Sequence, residues 1–249
     1  RAHALTDAGR RFEAHAREVL ARVTDVVDDM QGRGVEPRGV LRIAASQVYG
    51  TERVAPMLAE FLALHPKVEA ELVLDDVRAD LIGNGFDVAI RIGTLEDSEL
   101  IARPLEPYAM GLFAAPSYLE TAGTPRGAHD LRQYASIELA AASGRPWRLK
   151  GPDGERRVQP HRRAIASSGH ALLRMAEAGL GIILQPRWLV AAALSSGSLV
   201  ELLEDHAVPP RMAHLIYRKT PFMAAHQRAF IELAMLRLRG VALASAGQA

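Results

Sequence analysis

Strands and helices alternate along residues 40 to 93, and this alternation restricts the fold more than any other feature of the chain. The pattern predicts strands over 40–46, 68–76 and 86–93, separated by an amphipathic helix over 51–66 and a short, glycine-ended helix over 77–85. Strands that are joined through helices pair in parallel, because parallel neighbours need a crossover connection that a tight turn cannot provide. We therefore predict an α/β lobe with a parallel sheet and right-handed crossovers.

A second alternation follows, so the chain is predicted to form two α/β lobes. It predicts strands over 163–168 and 180–186, followed by helices over 169–179 and 187–197. The remaining predicted elements are an extended stretch over 99–116, a short helix over 116–123, a hairpin over 145–160 that turns at Pro152–Gly154, a strand over 211–219, and a helix over 220–238. Thr220 and Pro221 are residue types that open helices, as N-cap and first-turn residue. Extended crossings near residues 100–116 and 203–213 then join the two lobes.

Ahead of the first lobe, a predicted helix carries apolar residues in alternating steps of four and three. These residues are Phe12, Ala16, Val19, Val23, Val26 and Met30. This spacing is typical of the seam along which two helices supercoil, although the same residues can also pack on the lobes of their own chain. The helix begins almost at the first residue, without an initiator methionine, so we expect that further chain precedes it. The Gly- and Pro-rich segment 31–39 after the helix is typical of a hinge.

Composition and charge favour a globular protein of a reducing compartment. The chain of 249 residues contains no cysteine, so disulfides and cysteine-based metal sites are excluded. There is no apolar run of about 18 residues and no apolar signal core at the start, so we expect a cytoplasmic protein without a membrane partner. A net charge of +1 gives no indication of nucleic-acid binding. Only the stretch 145–163 is strongly basic, which fits either a solvated hairpin face or a surface that steers anions or a partner.

The sequence also lacks the motifs of common catalytic classes. It contains no G-x-S-x-G elbow, no H-E-x-x-H and no G-x-x-x-x-G-K-[ST] loop, and its nine histidines are scattered. The fragment GNG at 83–85 is too short for a dinucleotide fingerprint. We therefore expect neither enzyme activity nor a cofactor nor a metal.

Six phrases, in order, resemble the LysR-type bacterial transcriptional regulators. They are LTDAGRRF, PRGVLRIAAS, APMLAEFLALHPKVEAELVLDD, DLIGNGFDVAIRIG, AAPSYLETAGTP and AEAGLGIILQPRWLV. The resemblance implies a two-lobed effector domain of periplasmic-binding-protein-like (type 2) fold, preceded by a long dimerisation linker helix. It also implies that a winged helix-turn-helix domain lies upstream, through which alone the protein would bind DNA.

This resemblance implies a division of the chain. Residues 1–4 would be the remnant of the helix-turn-helix domain, 5–31 the linker helix, 32–39 the hinge, 40–115 with 208–240 lobe I, 116–207 lobe II, and 241–249 a flexible tail. The apolar seam would then pair with a second subunit, in a dimer or a tetramer.

Candidate binding residues lie where predicted strands end and helices begin. Ser46 and Gln47 leave the first strand, and Ser167, Ser168 and Gly169 do the same in the second lobe. Such positions face the ligand in α/β folds, and a helix start favours an anion. The alternative is that both serines only cap their own helices.

Further candidates are Tyr49, Arg91, Gly93, Tyr108, Pro116, His170 and Pro186. Arg91 is also compatible with a structural ion pair, His170 with a surface position, and Trp147 with the hairpin core. We expect the ligand to be a small organic molecule, a carboxylate or similar anion, bound between the lobes. The competing function is an exported solute-binding protein of a transporter, which shares the two-lobed clamp. An apolar signal upstream would favour this function, and a helix-turn-helix upstream would favour the regulator.

Overall fold

A computed structural model describes residues 36–76, 85–93, 100–152, 154–220 and 223–245. In the last of these ranges, the side chains are described up to residue 239. Before residue 36 it describes the positions Thr6, Ala8, Gly9, Phe12, Glu13, Ala16, Val19, Leu20 and Val23. Three predictions lie partly outside the described residues: the helix over 77–85 except for Gly85, residues 32–35 of the hinge over 32–39, and the seam residues Val26 and Met30.

The chain divides into two compact units. The first comprises the described residues up to Glu106 together with those from His214 onward, and the second comprises Pro107–Ala213. Two long strands, β4 (Leu100–Ala114) and β11 (Val208–Arg218), belong to both units. The boundaries therefore fall inside these strands, whereas the sequence placed them after residues 115 and 207.

The first unit contains the predicted parallel sheet. Strand β1 (Gly39–Ala45) pairs in parallel with β2 (Val68–Leu74) on one side and with β3 (Val88–Ile92) on the other. Beyond β3 the sheet continues with β11 and β4. This arrangement confirms the prediction for residues 40–93 as far as they are described. Strands β1 and β3 are rich in buried apolar residues, as is typical of parallel strands covered on both faces, whereas in β2 only Val68 is buried.

A helical segment follows β1 in three parts. Helix α1 (Gln47–Tyr49) leads through a π-helical turn (Gly50–Val54) into α2 (Ala55–Leu64). Pro56 has no N–H to donate and its ring clashes with the carbonyl four residues earlier, so regular α-helix cannot run unbroken through this point, and the wider π turn accommodates the break. Gly50 allows this turn to lie close to the sheet, since a Cβ there would be 2.3 Å from the Leu74 side chain.

The last helix, α6 (Ala225–Ser245), differs from its prediction at both ends. Arg228 N donates to Ala224 O at 3.0 Å, so the helix begins after Ala224, and Thr220 does not cap it. The helix also continues through 241–245, where a flexible tail was expected, because the Ala- and Leu-rich run after Gly240 has a high helix propensity. In the core, Phe230 of α6 packs edge-on against Phe61 of α2, with ring centroids 5.4 Å apart.

The second unit contains the remaining helices and strands. They are α3 (Pro116–Ala122), a 3₁₀ turn (Ala128–Gln133), β5 (Ala135–Leu139), a 3₁₀ turn (Ala140–Ala142), β6 (Trp147–Gly151), β7 (Gly154–Val158), β8 (His161–Ala166), α4 (Gly169–Glu177), β9 (Ile183–Pro186), α5 (Arg187–Ser196) and β10 (Val200–Leu202). Strands β9 and β10 pair antiparallel with the end of β4, β5 pairs in parallel with β8, and β6 and β7 form the predicted hairpin. Trp147 is buried in the core of this unit, as predicted.

Candidate functional site

The main chain brings the carboxyl ends of β1, β2 and β3 together in the first unit. Ser46 N donates to Ile90 O of β3 at 3.2 Å, and Asp75 N donates to Ala45 O of β1 at 2.9 Å. Ser46 therefore lies beside the end of β3, and Asp75 beside the end of β1. This is the edge of a parallel sheet at which ligands bind in α/β proteins.

Side chains complete a group that we call the strand-end cluster: Ser46, Gln47, Asp75, Asp76 and Arg91. Asp76 Oδ1 accepts a hydrogen bond from Gln47 N at 3.0 Å. The Arg91 guanidinium donates through Nη1 to the main-chain oxygen of Asp75. Three of the five residues, Ser46, Gln47 and Arg91, were candidates from the sequence.

Three buried polar atoms of this cluster have no hydrogen-bond partner among the described residues. They are Ser46 Oγ, Gln47 Oε1 and Arg91 Nη2. Ser46 is only 9% exposed. A buried polar group without a partner is unfavourable, and such groups in native proteins are rare. These three atoms are therefore a hydroxyl, an acceptor and a charged donor whose hydrogen-bonding capacity the described residues leave unused.

The strand-end cluster contains one guanidinium, that of Arg91, and two carboxylates, those of Asp75 and Asp76. Burial raises the pKa of the Asp76 carboxyl, and the hydrogen bond from Gln47 N and the nearby Arg91 charge oppose this shift. Burial also lowers the pKa of the Arg91 guanidinium, while Asp75 and Asp76 oppose that shift. Arg91 remains charged, since a guanidinium does not lose its proton in proteins. Arg91 Nη1 is engaged by a main-chain oxygen and Nη2 has no partner among the described residues, so the structural ion pair and the binding role both stay predictions.

The sequence missed Asp75 and Asp76 as site residues. The pattern VEAELVLDD was assigned to one strand over 68–76, whereas β2 ends at Leu74. Two consecutive carboxylates at the end of an apolar strand are the signal that places them at the sheet edge.

Tyr49 and Gly93, the other candidates of the first unit, differ from the strand-end cluster. Tyr49 is 2% exposed, and its hydroxyl donates to the buried Glu106 at 2.8 Å. Its side chain is thus part of the core of the first unit. Gly93 follows β3 with φ +97°, a conformation that favours glycine, and a Cβ there would meet no atom within 4 Å.

In the second unit, the candidate residues Ser167, Ser168, Gly169 and His170 lie at the start of α4. Ser168 is its N-cap residue: Leu172 N donates to Ser168 O at 3.1 Å, but the Ser168 side chain makes no capping hydrogen bond. The Ser46 side chain makes none either. The structure therefore does not support the alternative that both hydroxyls serve only as caps.

The remaining candidates of the second unit lie in different surroundings. Tyr108 packs edge-on against Trp188 with ring centroids 6.1 Å apart. Pro116 is exposed in the first turn of α3. Pro186 is buried at the end of β9, where it pairs with Met110. Of these three residues, Tyr108 and Pro116 therefore keep solvent-exposed surface and Pro186 does not.

The basic stretch 145–163 lies mainly on exposed strand positions of the second unit. Arg148 pairs with Glu155 across the hairpin at 2.8 Å, and Arg156, Arg157 and Arg163 are exposed. This fits the solvated hairpin face, and steering of anions stays a prediction. Within the described part of the chain, no three His, Cys, Asp or Glu side chains are grouped so that they could hold a metal ion. None of the helices described is long and apolar enough to cross a membrane.

Comparisons with known proteins are consistent across sequence and structure. Residues 34–238 match the family model of the LysR substrate binding domain. The HTH-type transcriptional activator AaeR of Escherichia coli K12 is 32% identical over 214 residues, which cover 86% of this chain and 69% of that protein.

Solved structures agree with this match. The Vibrio cholerae virulence activator AphB, a member of the LTTR protein family, has a TM-score of 0.75 at 27% identity, covering 96% of this chain and 83% of that one. CrgA, a LysR-type transcriptional regulator from Neisseria meningitidis, has a TM-score of 0.72 at 26% identity, covering 94% and 80%. These similarities confirm the predicted two-lobed, periplasmic-binding-protein-like fold class. The chain belongs to the LysR substrate-binding domain family and is the effector-sensing part of a LysR-type transcriptional regulator.

Proposed function

We propose that this effector-sensing part binds a small organic carboxylate or similar anion at the strand-end cluster of the first unit. The observation that carries the proposal is the set of buried, unpartnered polar atoms at Ser46, Gln47 and Arg91. A guanidinium and a hydroxyl are the groups that hold a carboxylate through charge-assisted hydrogen bonds. In the second unit, the segment Ser167–His170, which we call the Ser168 turn, is a separate candidate, because the Ser168 hydroxyl does not cap its helix.

The proposed mechanism is a shift between two arrangements of the oligomer. An effector changes such an equilibrium only by the difference of its affinities for the two states, and couplings of this kind are typically about 1–3 kcal/mol. We propose that the linker helix transmits this difference to a DNA-binding domain upstream, in the cytoplasm, and that the effector-sensing part has no catalytic role. The named relatives are transcriptional regulators, which does not favour the alternative of an exported solute-binding protein.

The proposal is tested by removing the hydroxyls of Ser46 and Ser168. Ser46→Ala together with Ser168→Ala is expected to weaken effector binding by at least about tenfold, since the loss at Ser46 alone of one hydrogen bond to a charged group costs about 1.5–3 kcal/mol. The thermal midpoint should stay nearly unchanged, because neither hydroxyl makes a capping bond and Ser46 Oγ has no partner among the described residues. A thermal-shift screen against small organic acids selects the acid with the largest shift, and titration calorimetry with that acid measures the affinity.

The matched control is Ser195→Ala, at an exposed position of α5. It should change neither affinity nor midpoint. A large loss of stability with intact binding in the double variant would identify the two serines as structural residues. A screen in which no acid shifts the midpoint of the wild type would contradict a carboxylate effector.

The linker helix is proposed to pair with the linker helix of a second copy of the chain. Phe12, Val19 and Val23 are 75%, 59% and 56% exposed, so packing within the chain does not cover them. Exposed apolar residues at seam spacing are typical of a helix–helix interface. With Ala16 and the sequence-assigned Val26 and Met30, they form the proposed dimerisation face.

Charges on this face should separate the subunits. Val19→Glu together with Val23→Glu is expected to weaken self-association at least about tenfold, because four like charges would meet across the seam. Sedimentation equilibrium measures the association constant, with Glu18→Gln, which the heptad spacing of the sequence places off the seam, as the control that changes charge. An unchanged association constant would place the interface elsewhere.

A further inference from the structure

The strand-end cluster contains more negative charge than a site for a simple anion requires. Asp75 and Asp76 both act on the Arg91 guanidinium, so its attraction for an external carboxylate is partly offset. Like charges that face each other disfavour binding. A ligand with only a carboxylate would therefore gain from Arg91 and lose to the aspartates.

Asp76 has capacity to accept further hydrogen bonds. A carboxylate offers about four acceptor positions. In the described part of the chain, Asp76 accepts one hydrogen bond, from Gln47 N at 3.0 Å. A neutral Asn could accept that bond equally well, so the contact with Gln47 does not explain the negative charge.

The strand-end cluster contains both donors and acceptors. Arg91 Nη2 is a donor, Ser46 Oγ is both donor and acceptor, and Gln47 Oε1 is an acceptor, and none of the three has a partner among the residues described. Asp76 adds a charged acceptor within hydrogen-bond distance of Gln47 N. A complementary ligand must therefore accept hydrogen bonds with one group and donate them with another nearby.

We infer that the effector is a carboxylic acid that also carries a hydroxyl or an ammonium group close to its carboxylate. The carboxylate binds Arg91 and Ser46, and the second group donates to Asp76 and to the side-chain oxygen of Gln47. Asp76 is thus a specificity-determining residue that selects substituted acids over unsubstituted ones. This inference rests on the proposed function, because it concerns the same site.

The test uses triads of acids that share a carbon skeleton and differ in one substituent. Propionate, lactate and alanine form one triad, and phenylacetate, mandelate and phenylglycine form the other. In each triad, one hydrogen of the first acid is replaced by a hydroxyl in the second and by an ammonium group in the third. Comparing the second and third acids therefore distinguishes the two kinds of donor. In at least one triad, a substituted acid is expected to bind the wild-type chain at least about tenfold more tightly than the unsubstituted acid, measured by titration calorimetry.

Asp76→Asn should abolish this preference. Asn keeps the acceptor for Gln47 N but presents an amide without charge, so the substituted acids should bind within about threefold of the unsubstituted acid. The unsubstituted acid should bind Asp76→Asn as tightly as the wild type or more tightly, since the repulsion between carboxylates is removed. Glu69→Gln, at an exposed position of the neighbouring β2, is the matched control and should leave the preference intact.

The possible failures are distinguishable. If the wild type binds the unsubstituted acids as tightly as the substituted ones, and Ser46→Ala weakens all of them, the inference about Asp76 is wrong and the proposed carboxylate site stands. If no member of either triad shows a Ser46-dependent affinity, the proposed site fails, and the inference fails with it. A preference that survives in Asp76→Asn would assign selectivity to another residue and overturn the role of Asp76.

Discussion

Gly181→Ala is expected to destabilise the second unit by about 3 kcal/mol, which corresponds to a fall of the melting temperature by about 6–12 °C. A Cβ at this position would lie 2.6 Å from the main-chain oxygen of Ala135. Real Cβ atoms do not approach so closely, and the neighbour is main chain, which cannot rotate away. Ile182 N donates to this same oxygen at 2.8 Å, and Ile137 N donates to Ile182 O at 3.0 Å, so a shift of either segment breaks hydrogen bonds.

Thermal melting and hydrogen exchange measure this effect. The amides of Ile137 and Ile182 should exchange faster in Gly181→Ala, while those of β1 should keep their protection. Gly127→Ala is the matched control, because its φ of −159° suits any residue and a Cβ there meets nothing within 4 Å. A melting temperature within about 2 °C of the wild type would mean that β5 and the segment before β9 are not held this closely.

The parallel sheet of the first unit could be predicted because its signals are local. Strand β1 and helix α2 have apolar periods that differ, and their order along the chain determines parallel pairing. Ser46 and Arg91 followed from the same reasoning, since strand ends define the edge at which ligands bind.

Other features could not be read from local patterns because they depend on tertiary contacts. The burial of Tyr49 depends on Glu106, which lies on β4, far away in the sequence. The unit boundaries fall inside β4 and β11, since a strand that runs through both units carries no local sign of the transition. Thr220 has the chemistry of a helix cap, yet α6 begins only at Ala225, so a suitable residue type does not by itself determine where a helix starts.

Asp76 illustrates why the charge of a site is harder to predict than its location. Sequence reasoning weighed the helix start and the serines, which favour an anion. The carboxylates at the end of β2 reach the same edge only after the strands pair, because Asp75 N bonds to β1 and Asp76 accepts from Gln47. The pairing register thus brings carboxylates to the sheet edge at which the sequence predicted a site for an anion.

Glu138 is a buried carboxylate whose hydrogen bonds join several segments of the second unit. It lies on β5, is 5% exposed, and accepts hydrogen bonds from Ser136 Oγ at 3.3 Å, Ser143 Oγ at 2.9 Å, Gly144 N at 3.1 Å and Gln159 Nε2 at 3.2 Å. A carboxylate that is buried this deeply is tolerated when its lone pairs are occupied by donors. Glu138 therefore connects β5 to the loop before β6 and to the residue after β7.

Glu138→Ala is expected to lower the free energy of unfolding by roughly 3–5 kcal/mol. The substitution leaves these donors without their acceptor in a buried region and adds a cavity, and both effects are unfavourable. Glu138→Gln should cost less, since its amide oxygen still accepts from some of the donors. Chemical denaturation measures the three free energies, with Glu120→Ala, at an exposed position of α3, expected within about 0.5 kcal/mol of the wild type.

The order of the variants distinguishes a hydrogen-bond network from simple filling of space. If the donors matter, Glu138→Leu should be at least as unstable as Glu138→Ala, because an apolar side chain fills the volume but satisfies no donor. If volume alone matters, Glu138→Leu should approach the stability of the wild type, and the network would then be incidental. Strand β8 pairs with β5 and leads directly to Ser168. If the hydrogen bonds of Glu138 hold β5 and β8 in place, Glu138→Ala should therefore also bind an effector more weakly, even under conditions in which the chain remains folded. An unchanged affinity in the folded variant would show that the loss of stability at β5 does not alter the geometry of the Ser168 turn.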